Sequence, residues 1–471
     1  MISPVEFPVS RRPASCGRSR RAAFAFTITL FAAGVADGAN RPNIVLLTTN
    51  HQAAGLTGFE GHRQIKTPNL DELAKESTFF PRCYTPTLQS TPGRASILTG
   101  QYPHALKTAT HEPRLPAGAE TFSGALHSAG YVCAIVGQWE PLGEKAFTPD
   151  HGFTDYTAIC APSSWLDHQV WLQGKEAKAD QHLTEWIADR ANEYLAQPRE
   201  KPFFLWVNFV EQPESPTLPP GVVNAYPPDA IELPKSVKTI PDRRPPVLLN
   251  TNLVRKGQKM DEAQVRDARS KYYTMMTYTD TQIGRVLKRM NDLNLRENTA
   301  VVYASTSGWA LGDHQLFTTG PAFYEELIRG PLLVRYPSLT KPGARIERIV
   351  SLVDLAPTFM ELAGVAISPV VHGQSLLPVL GNPAATSHRD EAFVSYSSPP
   401  GEPSCIARAI VTDLFKYVEY MQSESQLYDL KRDGDELHNA VGDMEYAAVV
   451  KVLSTRLRKW QETTKDSEFR K

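Results

Sequence analysis

Short apolar runs rich in β-branched and aromatic residues recur along this chain, and they constrain its fold more than any other feature. Longer segments with a helical spacing of apolar residues lie between them, as at 180–196, 273–293 and 354–363. This alternation is typical of a largely parallel sheet that helices cover on both faces. The sequence therefore predicts an α/β fold. The predicted strands are 44–47, 131–136, 203–209, 300–304 and 332–335.

The pattern changes after residue 368. Short strand-like runs follow at 392–396, 407–411 and 416–420, and a helical pattern covers 447–461. We expect a large α/β domain over 40–368 and a small C-terminal subdomain over 369–471, with antiparallel strands and a terminal helix.

The first 39 residues carry the features of a secretory signal peptide. Five arginines (Arg11, Arg12, Arg18, Arg20 and Arg21) precede an apolar run at 22–36 and then small residues. That run is too short for a transmembrane helix, which needs about 20 residues. We expect a periplasmic or secreted protein without a transmembrane anchor after signal removal. General and twin-arginine export both remain open, as does an upstream start codon followed by a buried helix.

Charge and cysteine content exclude two classes of protein. The chain has 50 Lys and Arg against 51 Asp and Glu, a net charge of −1, so it lacks the basic excess of a nucleic-acid binder. Its five cysteines form no C-x-x-C pair, which predicts neither a zinc knuckle nor a disulfide framework.

Nine segments, in order, resemble the sulfatase family of the alkaline-phosphatase-like superfamily. The resemblance implies a three-layer αβα fold and hydrolysis of sulfate esters, on aryl sulfates or sulfated glycans. The segments are RPNIVLL (41–47), TPNLDELAKES (67–77), STPGRASILTGQYPH (90–104), DTQIGRVL (280–287), LGDHQLF (311–317), FYEELIRGPLLVRYP (323–337), LVDLAPTFMELAG (352–364), HGQSLLPVL (372–380) and LYDLKRDGDELHN (427–439).

The most informative of these segments, at 90–104, contains Ser90 and Arg94. Ser90 precedes a helix-compatible run, so it would lie at the positive end of a helix dipole, where backbone amides can hold an anion. The same pattern also suits a simple helix cap. The resemblance adds that Ser90 is the formylglycine-precursor position, the catalytic nucleophile after conversion. It also implies that Arg94 orients this residue.

The metal-ligand positions differ from those of active relatives. The resemblance implies a calcium ion held by an Asp-Asp pair after the first strand and an Asp-Asn or Asp-His pair after a later one. Here these pairs are Asn50-His51 and Thr306-Ser307. Calcium needs charged oxygen ligands, and none of the four supplies one. We therefore predict no cofactor. The alternative is a softer metal such as zinc or copper, for which the His51 imidazole would be a suitable ligand.

The sulfate-binding positions are altered as well. Relatives carry G-K-W-H where this chain has Gly137-Gln138-Trp139-Glu140, so a lysine and a histidine become Gln138 and Glu140. A proline-histidine pair becomes Pro213-Glu214, and an expected lysine becomes Thr319. A carboxylate about 4 Å from an anion costs about 4 kcal/mol at an effective dielectric of 20.

These replacements predict an exported sulfatase-family protein whose catalysis is lost while its scaffold is kept. Such a protein would bind a sulfated or other glycan, or another partner, through the old cleft. The alternatives are an active sulfatase or related ester hydrolase with an atypical metal site, and a metal-independent enzyme that uses Ser90, His51 or Glu140.

Overall fold

The structure is a computed structural model, and it describes most of the chain from residue 41 onward. The predicted signal peptide, 1–39, lies outside the described residues. The described ranges are 41–108, 115–116, 118–139, 151–153, 155–160, 168–210, 218, 221–239, 241–249, 259–317, 320–385, 388–398 and 404–469.

A mixed sheet of eleven strands forms the centre of the described structure. Its spatial order is β10-β2-β9-β8-β1-β7-β3-β4-β5-β6, and β11 pairs with β2. The strands β8, β1, β7, β3 and β4 are mutually parallel, and the apolar runs predicted all of them except β4. The predicted run at 332–335 lies in β9, which is antiparallel to β8. The bounds are β1 Asn43–Thr49, β2 Thr78–Tyr84, β3 Val132–Gln138, β4 Tyr156–Cys160, β5 His168–Leu172, β6 Lys175–Ala179, β7 Phe203–Asn208, β8 Thr299–Ser305, β9 Arg329–Arg335, β10 Ala344–Arg345 and β11 Val350–Ser351.

Helices cover both faces of this sheet and bury alternate residues of each strand. Ile44 and Leu46 of β1 pack with α2, α4 and α10, whereas Val45 and Leu47 pack with α1, α5 and α8. The expected three-layer αβα arrangement is confirmed. The helices are α1 Pro68–Lys75, α2 Ser90–Thr99, α3 Pro103–Leu106, α4 Phe122–Ser128, α5 Leu183–Ala196, α6 Lys235–Lys238, α7 Pro246–Leu249, α8 Glu262–Asp292, α9 Glu325–Ile328, α10 Leu355–Leu362, α11 Leu377–Gly381 and α12 Ala447–Thr463.

A separate antiparallel sheet of four strands forms the C-terminal region, as predicted. Its strands, in spatial order, are β12 Ala392–Ser397, β13 Ile406–Val411, β14 Phe415–Tyr420 and β15 Gln426–Asp429. Helix α12 packs on this sheet through Leu453, Leu457 and Trp460. Arg408 of β13 and Asp466, just after α12, form a fully buried ion pair at 2.6 Å. The domain boundary at residue 368 stays a prediction.

Across the described ranges, no helix is both long enough and apolar enough to span a bilayer. The four cysteines that the structure describes form no disulfide and lie in the protein interior.

Candidate active site

Polar residues lie where four neighbouring parallel strands end. Asn50 follows β1, Thr306 follows β8, Gln138 ends β3 and Asn208 ends β7. These strands are adjacent in the order β8-β1-β7-β3. The carboxyl ends of parallel strands form the edge at which α/β proteins bind ligands. The sheet topology therefore brings predicted site residues together that are up to 256 positions apart in sequence.

A chain of hydrogen bonds joins three of these residues across the sheet edge. The Thr306 hydroxyl donates to Asn50 Oδ1 at 2.6 Å, and Asn50 Nδ2 donates to Gln138 Oε1 at 2.6 Å. Asn50 Nδ2 also donates to the carbonyl oxygen of Phe209 at 3.3 Å. All three side chains are buried, and all are neutral. Neutral donors and acceptors thus satisfy one another at two of the predicted metal-ligand positions.

His51 has a left-handed backbone, with φ at 59°. Its Nδ1 lies 3.2 Å from the hydroxyl oxygen of Ser307, and its ring meets the ring of Trp309 edge-on at 4.9 Å. The Tyr272 hydroxyl donates to the His51 carbonyl oxygen at 2.8 Å. The second residue of each predicted ligand pair therefore contacts its counterpart.

Helix α2 brings Ser90 and Arg94 to the same edge. Ser90 is the first residue of α2 and is half-buried, and Gln89 before it has an extended backbone. Arg94 lies one turn further on and is completely buried. Its Nη1 donates to Asn50 Oδ1 at 3.4 Å. The guanidinium charge of Arg94 is therefore held beside Asn50.

The loop before Ser90 is fixed by the C-terminal sheet. Thr87 forms an isolated bridge with Ser395 of β12, and the Ser395 amide donates to the Pro86 carbonyl oxygen at 2.9 Å. Within the loop, the Thr85 hydroxyl donates to the Thr87 carbonyl oxygen at 2.6 Å. The position of Ser90 thus depends on contacts from both sheets.

A second layer of polar residues, which sequence reasoning missed, supports Gln138. Asn208 Nδ2 donates to the Gln138 carbonyl oxygen at 2.8 Å, and Asn208 Oδ1 accepts from the Thr48 hydroxyl at 2.7 Å. Gly137 has a φ of 109°, and a Cβ there would lie 2.0 Å from the Asn208 carbonyl oxygen. Only glycine fits this contact. A polar residue that ends an apolar run, as Asn208 ends FFLWVN, is the signal that could have revealed it.

Three predicted site residues cannot be placed. Glu140, Glu214 and Thr319 lie outside the described residues, so their roles stay predictions.

Comparisons with known proteins agree with this architecture. The family described as Sulfatase matches residues 42–365, and the family described as N-sulphoglucosamine sulphohydrolase, C-terminal, matches residues 312–463. The first match covers more than half of the chain. This chain belongs to the sulfatase family.

Curated relatives of this sulfatase-family chain include enzymes named for sulfated sugars. It is 27% identical to an N-acetylglucosamine-6-O-sulfatase of Bacteroides thetaiotaomicron, over 91% of this chain and 88% of the relative. It is 29% identical to an ulvan-active sulfatase of Formosa agariphila, over 90% of this chain and 81% of the relative.

A solved structure extends the likeness to three dimensions. The structure of BT4656 in complex with its substrate D-glucosamine-2-N,6-O-disulfate matches with a TM-score of 0.80 and 26% identity. The match covers 91% of this chain and 99% of that chain. The alkaline-phosphatase-like fold that the sequence predicted is thereby confirmed.

The residues at the predicted metal-ligand positions do not fit calcium. Asn50, His51, Thr306 and Ser307 supply amide, imidazole and hydroxyl groups, whereas calcium affinity depends on carboxylate charge. Within the described ranges, no three His, Cys, Asp or Glu side chains are grouped so that they could hold a metal ion.

The nearby acid and histidine of the LGDHQLF segment have other partners. Asp313 pairs with Arg269 at 2.6 Å. His314 Nε2 lies 2.8 Å from Glu326 Oε1, and its ring stacks on that of Tyr324 at 3.7 Å. Both residues therefore make contacts that do not involve Thr306, Asn50 or Gln138.

Proposed function

We propose that this sulfatase-family protein binds a sulfated saccharide in the former catalytic cleft and does not hydrolyse it. The observation that carries the proposal is the neutral hydrogen-bonded chain from Thr306 through Asn50 to Gln138, with Arg94 buried beside it. Arg94 and the α2 amino end supply positive charge for a sulfate group without a metal.

Loss of turnover follows from the charge that sulfate ester cleavage requires. Negative charge develops on the transferring group and its leaving oxygen, and each preorganised stabilising group contributes about 3 kcal/mol. This chain has Gln138 and Glu140 where relatives have a lysine and a histidine, and it lacks the carboxylates that hold the cation. A deficit of several such groups lowers the rate by many orders of magnitude.

The test combines turnover, modification and binding on the mature protein. We expect no hydrolysis of 4-nitrophenyl sulfate with or without added calcium, and an unmodified serine at residue 90 by mass spectrometry. D-glucosamine-2-N,6-O-disulfate should bind in calorimetry. Arg94→Lys should weaken its binding, because lysine keeps the charge but loses the planar fork of donors.

Arg285→Lys is the matched control, because Arg285 is a half-exposed arginine on α8 that pairs with Asp189. It should bind the disulfate as the parent protein does. Desulfation that depends on stoichiometric zinc, manganese or calcium would overturn the proposal in favour of an ester hydrolase with an atypical metal site. Covalent labelling of Ser90 by a serine-directed probe would favour a metal-independent enzyme.

We also propose that the protein is exported, with residues 1–39 removed. The basic, apolar and small segments of that region support this. N-terminal sequencing of protein from the periplasmic fraction should find a new terminus near residue 40. An intact Met1 in the cytoplasmic fraction would contradict export.

A further inference from the structure

The segment 241–249 packs beside the elements that carry the candidate active site. Arg244 Nη2 donates to the carbonyl oxygen of His314, in the stretch that follows β8. Leu248 is fully buried and belongs to the same apolar cluster as Leu88, in the loop that leads into α2. This segment therefore shares packing contacts with the parts of the chain that hold the cleft residues.

The same segment is tied to the C-terminal region through His438. Its Nδ1 lies 2.6 Å from Asp242 Oδ2, and its Nε2 lies 2.7 Å from Asp443 Oδ2. Carboxylate oxygens only accept hydrogen bonds, so both ring nitrogens must carry a proton for both bonds to form. The geometry therefore selects the charged form of His438, with a charge-assisted hydrogen bond on each side of the ring.

The charges around His438 favour this form. Hydrogen bonds from its ring to Asp443 and Asp242 raise the pKa of His438 above the ordinary value. Its backbone amide also donates to Asp433 Oδ2 at 2.8 Å. Arg243 lies next to the group as well, and its Nη1 is 3.0 Å from Asp443 Oδ1. Three carboxylates and one guanidinium therefore surround the ring among the described residues.

Loss of one proton from His438 changes one of its two contacts. A ring nitrogen without a proton would face a carboxylate oxygen, and two acceptors in contact repel. Backbone bonds would remain: the Asp242 amide donates to the Leu437 carbonyl oxygen at 3.0 Å, and the Asn439 amide donates to Asp242 Oδ1 at 2.7 Å. The His438 side chain is 49% exposed, so water weakens the charged contacts and the expected effect is modest.

We propose that His438 is a proton-dependent latch, which in its charged form holds the segment 241–249 against the C-terminal region and which loosens the segment on losing one proton. Because the native state binds this proton more tightly than the unfolded chain does, the latch is closed below about pH 6.5. It opens as the pH rises through the raised pKa of His438. The latch goes beyond the proposed function, because it uses no residue that would hold the saccharide.

Hydrogen–deuterium exchange followed by mass spectrometry tests the latch on the whole mature protein without ligand. Peptides that cover 241–249 should lose about two- to fivefold in protection between pH 6 and pH 9, after correction for the intrinsic pH dependence of exchange. His438→Gln keeps a donor but has no charge, so its segment should be less protected at pH 6 and should not respond to pH. Asp443→Asn removes one carboxylate and should move the midpoint of the response to lower pH.

His127→Gln is the matched control, because His127 is also a half-exposed histidine beside a carboxylate, that of Asp155 at 3.6 Å. It should respond to pH as the parent does. Peptides from the central sheet should exchange as in the parent in every variant, which shows that the variants are folded.

Three results would overturn the proposal: equal protection of the parent at both pH values, a His438→Gln variant that keeps the parent's response, or an unchanged midpoint in Asp443→Asn. The measurement uses no ligand. Its outcome is therefore independent of whether the protein binds D-glucosamine-2-N,6-O-disulfate, and failure of the latch is distinguishable from failure of the proposed function.

Discussion

Three substitutions should give this protein a calcium site: Asn50→Asp, His51→Asp and Thr306→Asp. Without a cation the variant should be less stable than the parent. Asn50 Oδ1 and Thr306 Oγ1 are 2.6 Å apart, and two carboxylates about 4 Å apart repel by about 4 kcal/mol at an effective dielectric of 20. Residue 51 suits the change, because Asp tolerates a left-handed backbone better than most residues.

Calcium should restore the lost stability by binding only the folded variant. At a hundredfold excess over its Kd, a ligand stabilises by about 2.7 kcal/mol. For the roughly 375 residues that the structure describes, the unfolding entropy is about 0.8 kcal/mol/K, which converts this into a rise of about 3 °C in Tm. Differential scanning calorimetry with calcium or with chelator measures it, and the parent protein is the control.

The reasoning is refuted if the triple variant is natively folded and melts at the same temperature in calcium and in chelator. If the triple variant does not fold, the pair Asn50→Asp and Thr306→Asp takes its place with the same criterion. A calcium response of the unchanged protein would equally contradict the neutral character of the site.

Three further predictions concern the scaffold. Gly137→Ala should destabilise by more than about 3 kcal/mol in chemical denaturation, because its Cβ would strike the backbone of β7, whereas Gly61→Ala, with a positive φ but open space, should cost far less; equal losses would contradict the steric argument. Asp466→Ala removes the nearer of the two carboxylates that pair with the buried Arg408 and leaves Glu468 at 3.3 Å, so it should cost about 3 kcal/mol, the lower end of the range for a broken buried pair; an unchanged denaturation midpoint would refute this. Burial lowers the pKa of His104 to about 3. Between pH 6.5 and pH 3 the unfolded state therefore binds a proton that the native state does not, and the free energy of unfolding should fall by up to about 1.4 kcal/mol for each pH unit of acidification. His104→Gln should flatten that slope.

Much of the fold was predictable because the parallel core strands are buried on both faces. Each of them is a continuous apolar run, so the runs at 44–47, 203–209 and 300–304 mark β1, β7 and β8 to within two residues. Strands without that pattern were missed. β2 contains Pro81 and a register shift between Phe80 and Cys83, and the outermost strand β6 has the polar, largely exposed sequence KEAKA.

Helix α8 shows why a boundary was missed. The sequence predicted a helix from residue 273, but α8 begins at Glu262. Its first turns bury Val265, Arg269 and Ser270, two of which are polar, and so carry no apolar period. A capping box between Asp261 and Gln264 fixes the start. That sequence signal consists of only two residues.

The candidate site was likewise predictable only in part. The resemblance to the sulfatase family identified Asn50, Thr306 and Gln138 as site positions. It could not predict that they bond to one another, since the contact requires the strand order β8-β1-β7-β3. The contacts of Asn208 with Gln138 and Thr48 likewise depend on three-dimensional proximity that no spacing encodes.

The bridge between Thr87 and Ser395 joins the loop that leads into Ser90 to the C-terminal sheet. Because β12 fixes the loop that leads into Ser90, loss of the C-terminal sheet would remove the contacts that hold this loop in place. Substitutions in the C-terminal sheet can therefore change the shape of the cleft without any change to the residues that line it.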